Sequence, residues 1–391
     1  MTVTCCARPL VAALAAALVV VALGLIPPAT PSAAGQEAKS YGPAAKDWNE
    51  VVDKAIAYLR KTQAANGRWS EDTSLGITGV VTTGLLQSGR VGPDDPMIKK
   101  AIDAILALQN PKEGHLAGPD PRAQLKNYVT CVNLMALEAT KDPRYKPLID
   151  KSAHFLKGLQ WDDGEGKPWS SDFYGGAGYD SKSRPDLSNS QMFADALRAA
   201  GVPPTDEAFQ KLQVFASRCQ NLKSEHNDQP WAGLVNDGGF IYTAADGGES
   251  KAGGTAATGF VSYGSMTYAG IKTMIYAGVD KNDKRVKAAY EWIRKNYTVD
   301  ENPGMPKAAN QQGLYYYYHT MAKTLHVLGV DTVTDAKGVE HDWRKDLFEA
   351  LAKRQRADGS WVNPADRWME GDPNLVTGYA LMTLSYCKPK K

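Results

Sequence analysis

Two kinds of helical segment alternate along this chain, six of each, and the alternation leaves few folds open. Amphipathic segments rich in Lys and Glu occupy residues 52–63, 96–109, 147–160, 206–220, 283–296 and 342–355, each ending near Gln or Asn. Val52, Ala55, Ile56 and Leu59 stand at the i, i+3, i+4, i+7 spacing of a half-buried helix, and Val286, Ala289, Tyr290 and Ile293 repeat it. Asp95-Pro96 and Asp142-Pro143 each place a capping carboxylate before a proline at the first helical position. The second kind, at 77–88, 127–140, 186–200, 263–277, 315–328 and 375–386, is apolar or weakly polar nearly all round, so it must be surrounded by protein. Four of these end alike, at Gly89-Arg90-Val91, Gly201-Val202, Gly278-Val279 and Gly329-Val330, where a left-handed glycine followed by an apolar residue stops a helix.

Solvent-facing helices alternating with buried ones predict an all-α fold, a closed (α/α)6 toroid of six outer and six inner helices over residues 46–388. An open helical solenoid is the alternative, but it gives every helix pair a similar environment and more uniform loops. Here the loops at 161–185 and 221–258 are long and rich in Gly, Asp and aromatics. Such loops tend to carry function, and these are expected at one mouth of the barrel, over the N-terminal ends of the third and fourth inner helices. The alternative is a pair of surface insertions tied down by Trp161, Trp169 and Trp231.

The charge balance, Lys+Arg 45 against Asp+Glu 43, offers no global field to recruit nucleic acid or an acidic membrane. Six His and no Cys-x-x-Cys spacing argue against a structural zinc module. Arg8, the apolar run 10–26 and the small-residue stretch ending Ser32-Ala33-Ala34 read as an export signal over 1–34, or as an uncleaved anchor, followed by a linker at 35–45. The body is therefore expected outside the cytoplasm, periplasmic or secreted, touching the membrane only through its N-terminus. Cys5 and Cys6 fall in the signal, and Cys131, Cys219 and Cys387 permit at most one disulfide.

Gln63-Ala64-Ala65-Asn66-Gly67-Arg68-Trp69 and Gln355-Arg356-Ala357-Asp358-Gly359-Ser360-Trp361 both read Q-x-x-x-G-x-W, and Asn236-Asp237-Gly238-Gly239-Phe240 reads as a degenerate copy. This resembles the repeat of squalene–hopene and oxidosqualene cyclases, shared in degenerate form with protein prenyltransferase β subunits. The resemblance spans essentially the whole chain after the signal and independently implies the α/α toroid. It implies a structural role for Gln63, Gly67, Trp69, Gln355, Gly359 and Trp361: Gln bonds the backbone of the next outer helix, Gly makes the turn, and Trp stacks near the Gln and shields that bond. It specifies architecture rather than chemistry.

The class II cyclases carry their acid in an Asp-x-Asp-Asp-Thr-Ala motif opening a buried helix. Asp186-Leu187-Ser188-Asn189-Ser190-Gln191, after Arg184-Pro185, is similar in position but keeps only the first Asp, and a serine hydroxyl cannot protonate an alkene. Asp186 then reads as an ionised N-cap paired with Arg184. Tyr318-His319-Thr320 resembles the sequence around a zinc-ligand histidine in the prenyltransferases, but Val261 and Tyr263 stand where the family has Asp and Cys, so neither metal nor other cofactor is expected. His319 reads instead as a hydrogen-bonded cavity wall residue.

What remains is a lining. Successive helix residues point about 100° apart, so two of the tyrosines at 315–318 are expected to face the lumen, with Tyr128, Tyr263, Tyr268 and Tyr379 at comparable places. The expected cavity residues are Arg184, Asn189, Tyr263, Tyr316, Tyr317, His319 and Trp368, and Asp186, His319 and Asp372 are the candidates for any catalysis. Tyrosines suit an isoprenoid or another apolar small molecule, bound without the usual family chemistry. Two other functions fit an exported toroid. A carbohydrate-active enzyme, a polysaccharide lyase or glycosidase acting on a glycan, needs facing carboxylates, about 5–10 Å apart in a glycosidase, from among Asp186, Asp237, Asp366, Glu370 and Asp372. A protein-interaction scaffold, as in complement-type thioester domains, would work through the long loops, since the reactive Gly-Cys-Gly-Glu-Gln is absent. The sequence leaves the oligomeric state open.

Overall fold

The amphipathic segments form helices α1 (Ala45–Thr62), α3 (Pro96–Leu106), α5 (Lys146–Lys157), α7 (Glu207–Arg218), α9 (Lys284–Lys295) and α11 (Trp343–Arg354). The buried segments form α2 (Ile77–Ser88), α4 (Lys126–Ala139), α6 (Leu187–Ala199), α8 (Gly264–Tyr276), α10 (Leu314–Leu328) and α12 (Pro373–Tyr386). The computed structural model describes residues 40–120 and 125–390; the export signal read at 1–34 and the start of the 35–45 linker lie outside them. Among the described residues the only strands are two short antiparallel hairpins, Gly254–Thr255 with Gly259–Phe260 and Val333–Thr334 with Glu340–His341.

Local chemistry accounts for the helix ends. Asp95, Asp206 and Asp283 cap α3, α7 and α9 by accepting from the amides of Met97 (2.9 Å), Ala208 (3.0 Å) and Arg285 (2.8 Å). Asp142 departs from expectation: the turn it caps is a single 3-10 turn, Pro143–Tyr145, and α5 starts only at Lys146. At the other end Val202, Val279 and Val330 donate back to Leu197, Met274 and Leu325 (3.0, 3.0 and 3.3 Å), each past a glycine in the left-handed region.

Each buried helix packs on the next, α2 on α4, α4 on α6, α6 on α8, α8 on α10, α10 on α12, and α12 packs on α2. Gly84 lies at that last contact, where an added Cβ would stand 2.8 Å from the Gly378 carbonyl oxygen. The amphipathic helices lie outside, each against one or two buried helices. The first and last segments also meet directly, through the Trp48 indole on the Leu384 carbonyl (2.9 Å).

The Gln and Gly of each repeat bridge neighbouring amphipathic helices. Gln63 Nε2 donates to Met97 O (2.9 Å) and Gly67 O (3.0 Å), and Gln355 Nε2 donates to Val51 O (2.9 Å) and Gly359 O (3.0 Å). Gln160 and Gln220 do the same, the first to Ala208 O (2.9 Å) and Gly175 O (2.8 Å), the second to Arg285 O and Gly238 O (both 2.8 Å). Gly67 and Gly359 have φ near +83° and +90°, and a Cβ there would lie 2.2 and 2.3 Å from the carbonyl oxygens of Lys100 and Lys54. The tryptophans do more than shield. The indoles of Trp69 and Trp361 donate to Leu59 O (2.9 Å) and Leu351 O (2.8 Å), tying each loop to its own preceding helix.

The buried set is not free of charge, although its segments read as apolar or weakly polar nearly all round. Asp195 on α6, Lys272 on α8 and Lys323 on α10 are all buried and meet one another.

Candidate functional site

A cavity of about 140 Å³ opens where the N-terminal ends of all six buried helices converge. Ile77 and Val80 of α2, Tyr128 of α4, Ser188 of α6, Ser265 and Met266 of α8, Tyr316 of α10, and Leu375 and Tyr379 of α12 line it. The long loops complete it: Tyr179 from one, Tyr242 and Lys251 from the other, and Trp368, Met369 and Glu370 from the segment before α12. Most of this surface is aliphatic or aromatic, and its tyrosines have ordered hydroxyls. Tyr128 and Tyr379 share a hydrogen bond of 2.6 Å, and the Tyr316 hydroxyl lies 3.0 Å from Ser188 Oγ and accepts from Gln191 Nε2 at 2.7 Å.

Glu370 is the one carboxylate among the described lining residues. Trp368 (φ +60°) and Met369 (φ +65°) are consecutive non-glycine residues in the left-handed region, a strain of about 1 kcal/mol or more each. The reversal they make turns Glu370 inward, where its carboxylate accepts from the Tyr316 amide at the start of α10 (2.8 Å) and from Asn363 Nδ2 in the loop after α11 (2.6 Å). Burial pushes its pKa up to about 7 against those donors.

The structure sorts the expected site residues into two groups. Tyr263, Tyr316 and Trp368 line the cavity. Of the four consecutive tyrosines only Tyr316 does so; Tyr317 turns away, its hydroxyl donating to Thr298 O (2.7 Å) and its ring against Tyr268 (5.7 Å). Asn189 lies behind the lining, its side chain donating to Asp186 (2.8 Å). Asp186 caps α6 through the Asn189 amide (2.8 Å), as expected, but does not pair with Arg184, which instead bonds Glu249 at the mouth. With no cation beside it, burial dominates and raises the Asp186 carboxyl to about 6. Asp372 caps α12, accepting from the amides of Asn374 (2.9 Å) and Leu375 (3.1 Å). His319 is buried against Tyr379 (5.9 Å between rings), but neither ring nitrogen has a hydrogen-bond partner among the described residues, so the hydrogen-bonded wall expected of it does not form. Burial, with Lys323 and Lys272 nearby, drives its pKa down to about 3, leaving the ring neutral.

Of the remaining carboxylates, Asp237 accepts from Ser262 Oγ (2.7 Å) and the Trp292 indole (3.1 Å), and Asp366 is exposed.

Beneath the cavity runs a buried polar chain that the sequence reading passed over. Lys272 donates to Gln191 Oε1 and pairs with Asp195 Oδ2 (2.7 Å), whose other oxygen pairs with Lys323 (2.9 Å). Burial pushes the Asp195 carboxyl up, but the two lysines together outweigh it and hold it low, while burial lowers Lys272 to about 8. Asp195 and Lys323 also border a second opening of about 280 Å³ with Gln87, Glu138, Arg198 and Tyr276. The available signal was a lone lysine in each of the segments that form α8 and α10, and an Asp near the middle of the one that forms α6.

No family model and no curated protein matches this chain. Solved structures do. The type II terpene cyclase MstE from Scytonema, in its apo form, superposes with a TM-score of 0.52 at 12% identity over 88% of this chain and 98% of that one. Its complex with merosterolic acid A gives 0.54 at 13% identity over 88% and 97%. A wild-type glycosidase gives 0.51 at 13% identity over 88% and 97%. The likeness is one of fold. Terpene cyclases and glycosidases share it, so it leaves the chemistry to be argued from the cavity.

Proposed function

We propose that this chain is an exported closed (α/α)6 toroid of the squalene-cyclase and prenyltransferase repeat type. It holds an isoprenoid or other apolar small molecule in the cavity at the N-terminal ends of its inner helices, without the usual cyclase or zinc prenyltransferase chemistry. Closure is supported by α12 packing on α2 and by Gln355 bonding α1. The observation that carries the ligand assignment is the lining itself, largely aromatic and aliphatic, with Glu370 and Lys251 as its charged residues. A cavity of about 140 Å³ is close to the ~150 Å³ of an engineered apolar site that holds benzene. One or two isoprene units fit inside, and the rest of a longer chain lies in the mouth among Tyr179, Trp368 and Met369. Folding an entire long polyene for cyclisation needs more enclosed space.

The test is native mass spectrometry and solvent extraction of the full chain purified from its own host. An apolar adduct is the expected result; a bare chain that also fails to take up added isoprenoids overturns the assignment. The same spectrum reports whether the chain starts after Ala34, as export with cleavage requires.

The glycosidase reading draws on the shared fold and on Glu370, which at about 7 is half protonated at neutral pH, as a general acid should be. It needs a second carboxylate across the cleft, and the described lining supplies none. Release of sugar from a glycan, abolished by Glu370→Gln, would decide in its favour.

A further inference from the structure

One hydroxyl proton in the wall between α6 and α10 has no protein acceptor. Lys272, paired with Asp195 at 2.7 Å, is a donor, so the Gln191 atom that faces it is the carbonyl Oε1. Gln191 must then turn its Nε2 toward Tyr316, and the Tyr316 oxygen accepts there at 2.7 Å. Tyr316 and Ser188 carry two hydroxyl protons between them and share one 3.0 Å gap. One proton fills that gap, and the other has no acceptor among the described residues. The same count holds for Tyr128 and Tyr379, whose oxygens lie 2.6 Å apart. The two pairs are neighbours, with the Tyr316 and Tyr379 rings edge to face at 6.2 Å, and all four side chains line the cavity. Tyr128, Ser188 and Tyr316 are part-buried, and all four side chains face an open cavity, where water can take the proton. A ligand that fills the cavity and displaces that water must supply an acceptor or leave the hydroxyl unpaired, and a ligand oxygen avoids that penalty. Behind the first pair, Lys272 and Lys323 share the single carboxylate of Asp195. When both lysines are charged this leaves a positive surplus, which favours an oxygen bearing negative charge while Glu370 is protonated and is offset once Glu370 ionises.

We infer that the molecule held in this cavity is an apolar chain ending in a carbonyl-type oxygen, ketone or carboxylate, which accepts from the Tyr316–Ser188 pair. The inference rests on the cavity reading above and adds the polar end of its ligand. Tyr316 is the specificity-determining donor, and Gln191 and Lys272 are positioning residues that set the direction of its hydrogen bond.

The experiment is calorimetric titration of the full chain with three ten-carbon probes: the hydrocarbon myrcene, the aldehyde geranial and geranic acid. The aldehyde and the acid are expected to bind about tenfold or more tightly than myrcene, the worth of one well-made buried hydrogen bond. Tyr316→Phe keeps the ring and removes the hydroxyl, and should cut that preference several-fold, leaving only what Ser188 and the Tyr128–Tyr379 pair can donate. Ser188→Ala should retain it, because the Tyr316 proton then has no competing acceptor. Equal binding of all three probes by the unaltered chain overturns the inference and leaves the cavity reading standing. Binding of none overturns the cavity reading and this with it. A preference left unchanged by Tyr316→Phe overturns the assignment to Tyr316. Circular dichroism establishes that the variants are folded; if Tyr316→Phe is not, the probe comparison on the unaltered chain decides.

Discussion

Replacing Glu370 with glutamine should remove a specific part of the pH dependence of folding. Its carboxyl titrates near 7 in the folded chain against 4.5 in solvent. Because the folded value is the higher one, the folded state binds the proton more tightly, and the associated stability is complete below about pH 4.5 and lost as pH rises through 7. At about 1.4 kcal/mol per pH unit that gap is worth about 3 kcal/mol. Asp186, raised from 3.8 to about 6, contributes a separate loss over a partly overlapping and more acidic range. Glutamine keeps an acceptor for the Tyr316 amide but cannot ionise, and its poorer fit to Asn363 Nδ2 is an offset that does not vary with pH. Urea unfolding of both proteins from pH 4.5 to 8 is the assay. The unaltered protein should lose about 3 kcal/mol relative to Glu370→Gln across that range, most steeply between about pH 5 and 6.5 and hardly at all above about 7.5; the Asp186 contribution is common to both proteins and cancels. A difference between the two proteins that stays flat with pH would refute the picture of Glu370 as a buried acid turned inward by Trp368 and Met369.

Four further outcomes are expected. Asp195→Asn strands two buried lysines and should destabilise the fold by about 3–5 kcal/mol, whereas Lys272→Met leaves the Lys323–Asp195 pair intact and should cost far less; thermal melts compare them. Lys272 titrates near 8 in the fold against 10.5 in solvent, so the unfolded chain binds the extra proton between those values. Stability should rise with pH there, and Lys272→Met should abolish the rise. Gly359→Ala must place a Cβ 2.3 Å from the Lys54 carbonyl oxygen at a φ near +90° and should cost at least about 2 kcal/mol, measured by denaturant unfolding. Cys131, Cys219 and Cys387 are buried free thiols, so a thiol reagent should find none in the native domain. In denaturant it should count three if 1–34 has been removed and five if it is retained.

The helices were legible because charge alternates with its absence on the scale of whole segments, and every segment read that way is a helix. The clamps at Gln63 and Gln355 were legible because Gln, Gly and Trp keep fixed spacing. Gln160 makes the same bonds but was hidden, because fourteen residues separate it from Gly175 and alanine follows where Trp stands elsewhere. Within the site, Tyr263 and Tyr316 stood out as aromatics at the start of buried helices. Tyr317 was indistinguishable from Tyr316, since which of two adjacent residues faces the lumen depends on helix rotation, and that is set by packing against neighbours. Glu370 sits in a charged stretch that reads as surface, and only two left-handed residues with no glycine signal carry it inside. Asp195, Lys272 and Lys323 lie on three different helices, and no local pattern announces that they meet.

The repeat and the cavity are more closely connected than a clamp between outer helices implies. Each Gln loop leads from the C-terminus of an outer helix into the N-terminus of an inner one, the end where the cavity lies. The backbone amide at the Trp position of that loop donates to a hydroxyl in the inner helix it precedes: Trp69 to Thr78 (3.2 Å), Ala177 to Ser190 (3.0 Å), Phe240 to Thr267 (3.1 Å) and Trp361 to Thr377 (3.2 Å). The amide of Leu116 makes the same bond to Thr130 (3.2 Å), so five of the six inner helices are held in this way. The four loops with a bonded Gln therefore each join three helices, two outer through Gln and one inner through the hydroxyl, while in the Leu116 loop Ser152 of α5 donates to Gly114 O (2.8 Å) in its place. A cavity built from six separate helix ends keeps its shape only if those ends are fixed relative to one another, because a shift of about 1 Å is enough to lose a directed hydrogen bond. The Tyr128–Tyr379 and Tyr316–Ser188 contacts each bridge two such ends. The residues that make the fold repetitive thus also hold the donors of the cavity in register, and weakening a clamp at Gln355 should disturb Tyr379 on α12 before it disturbs the core.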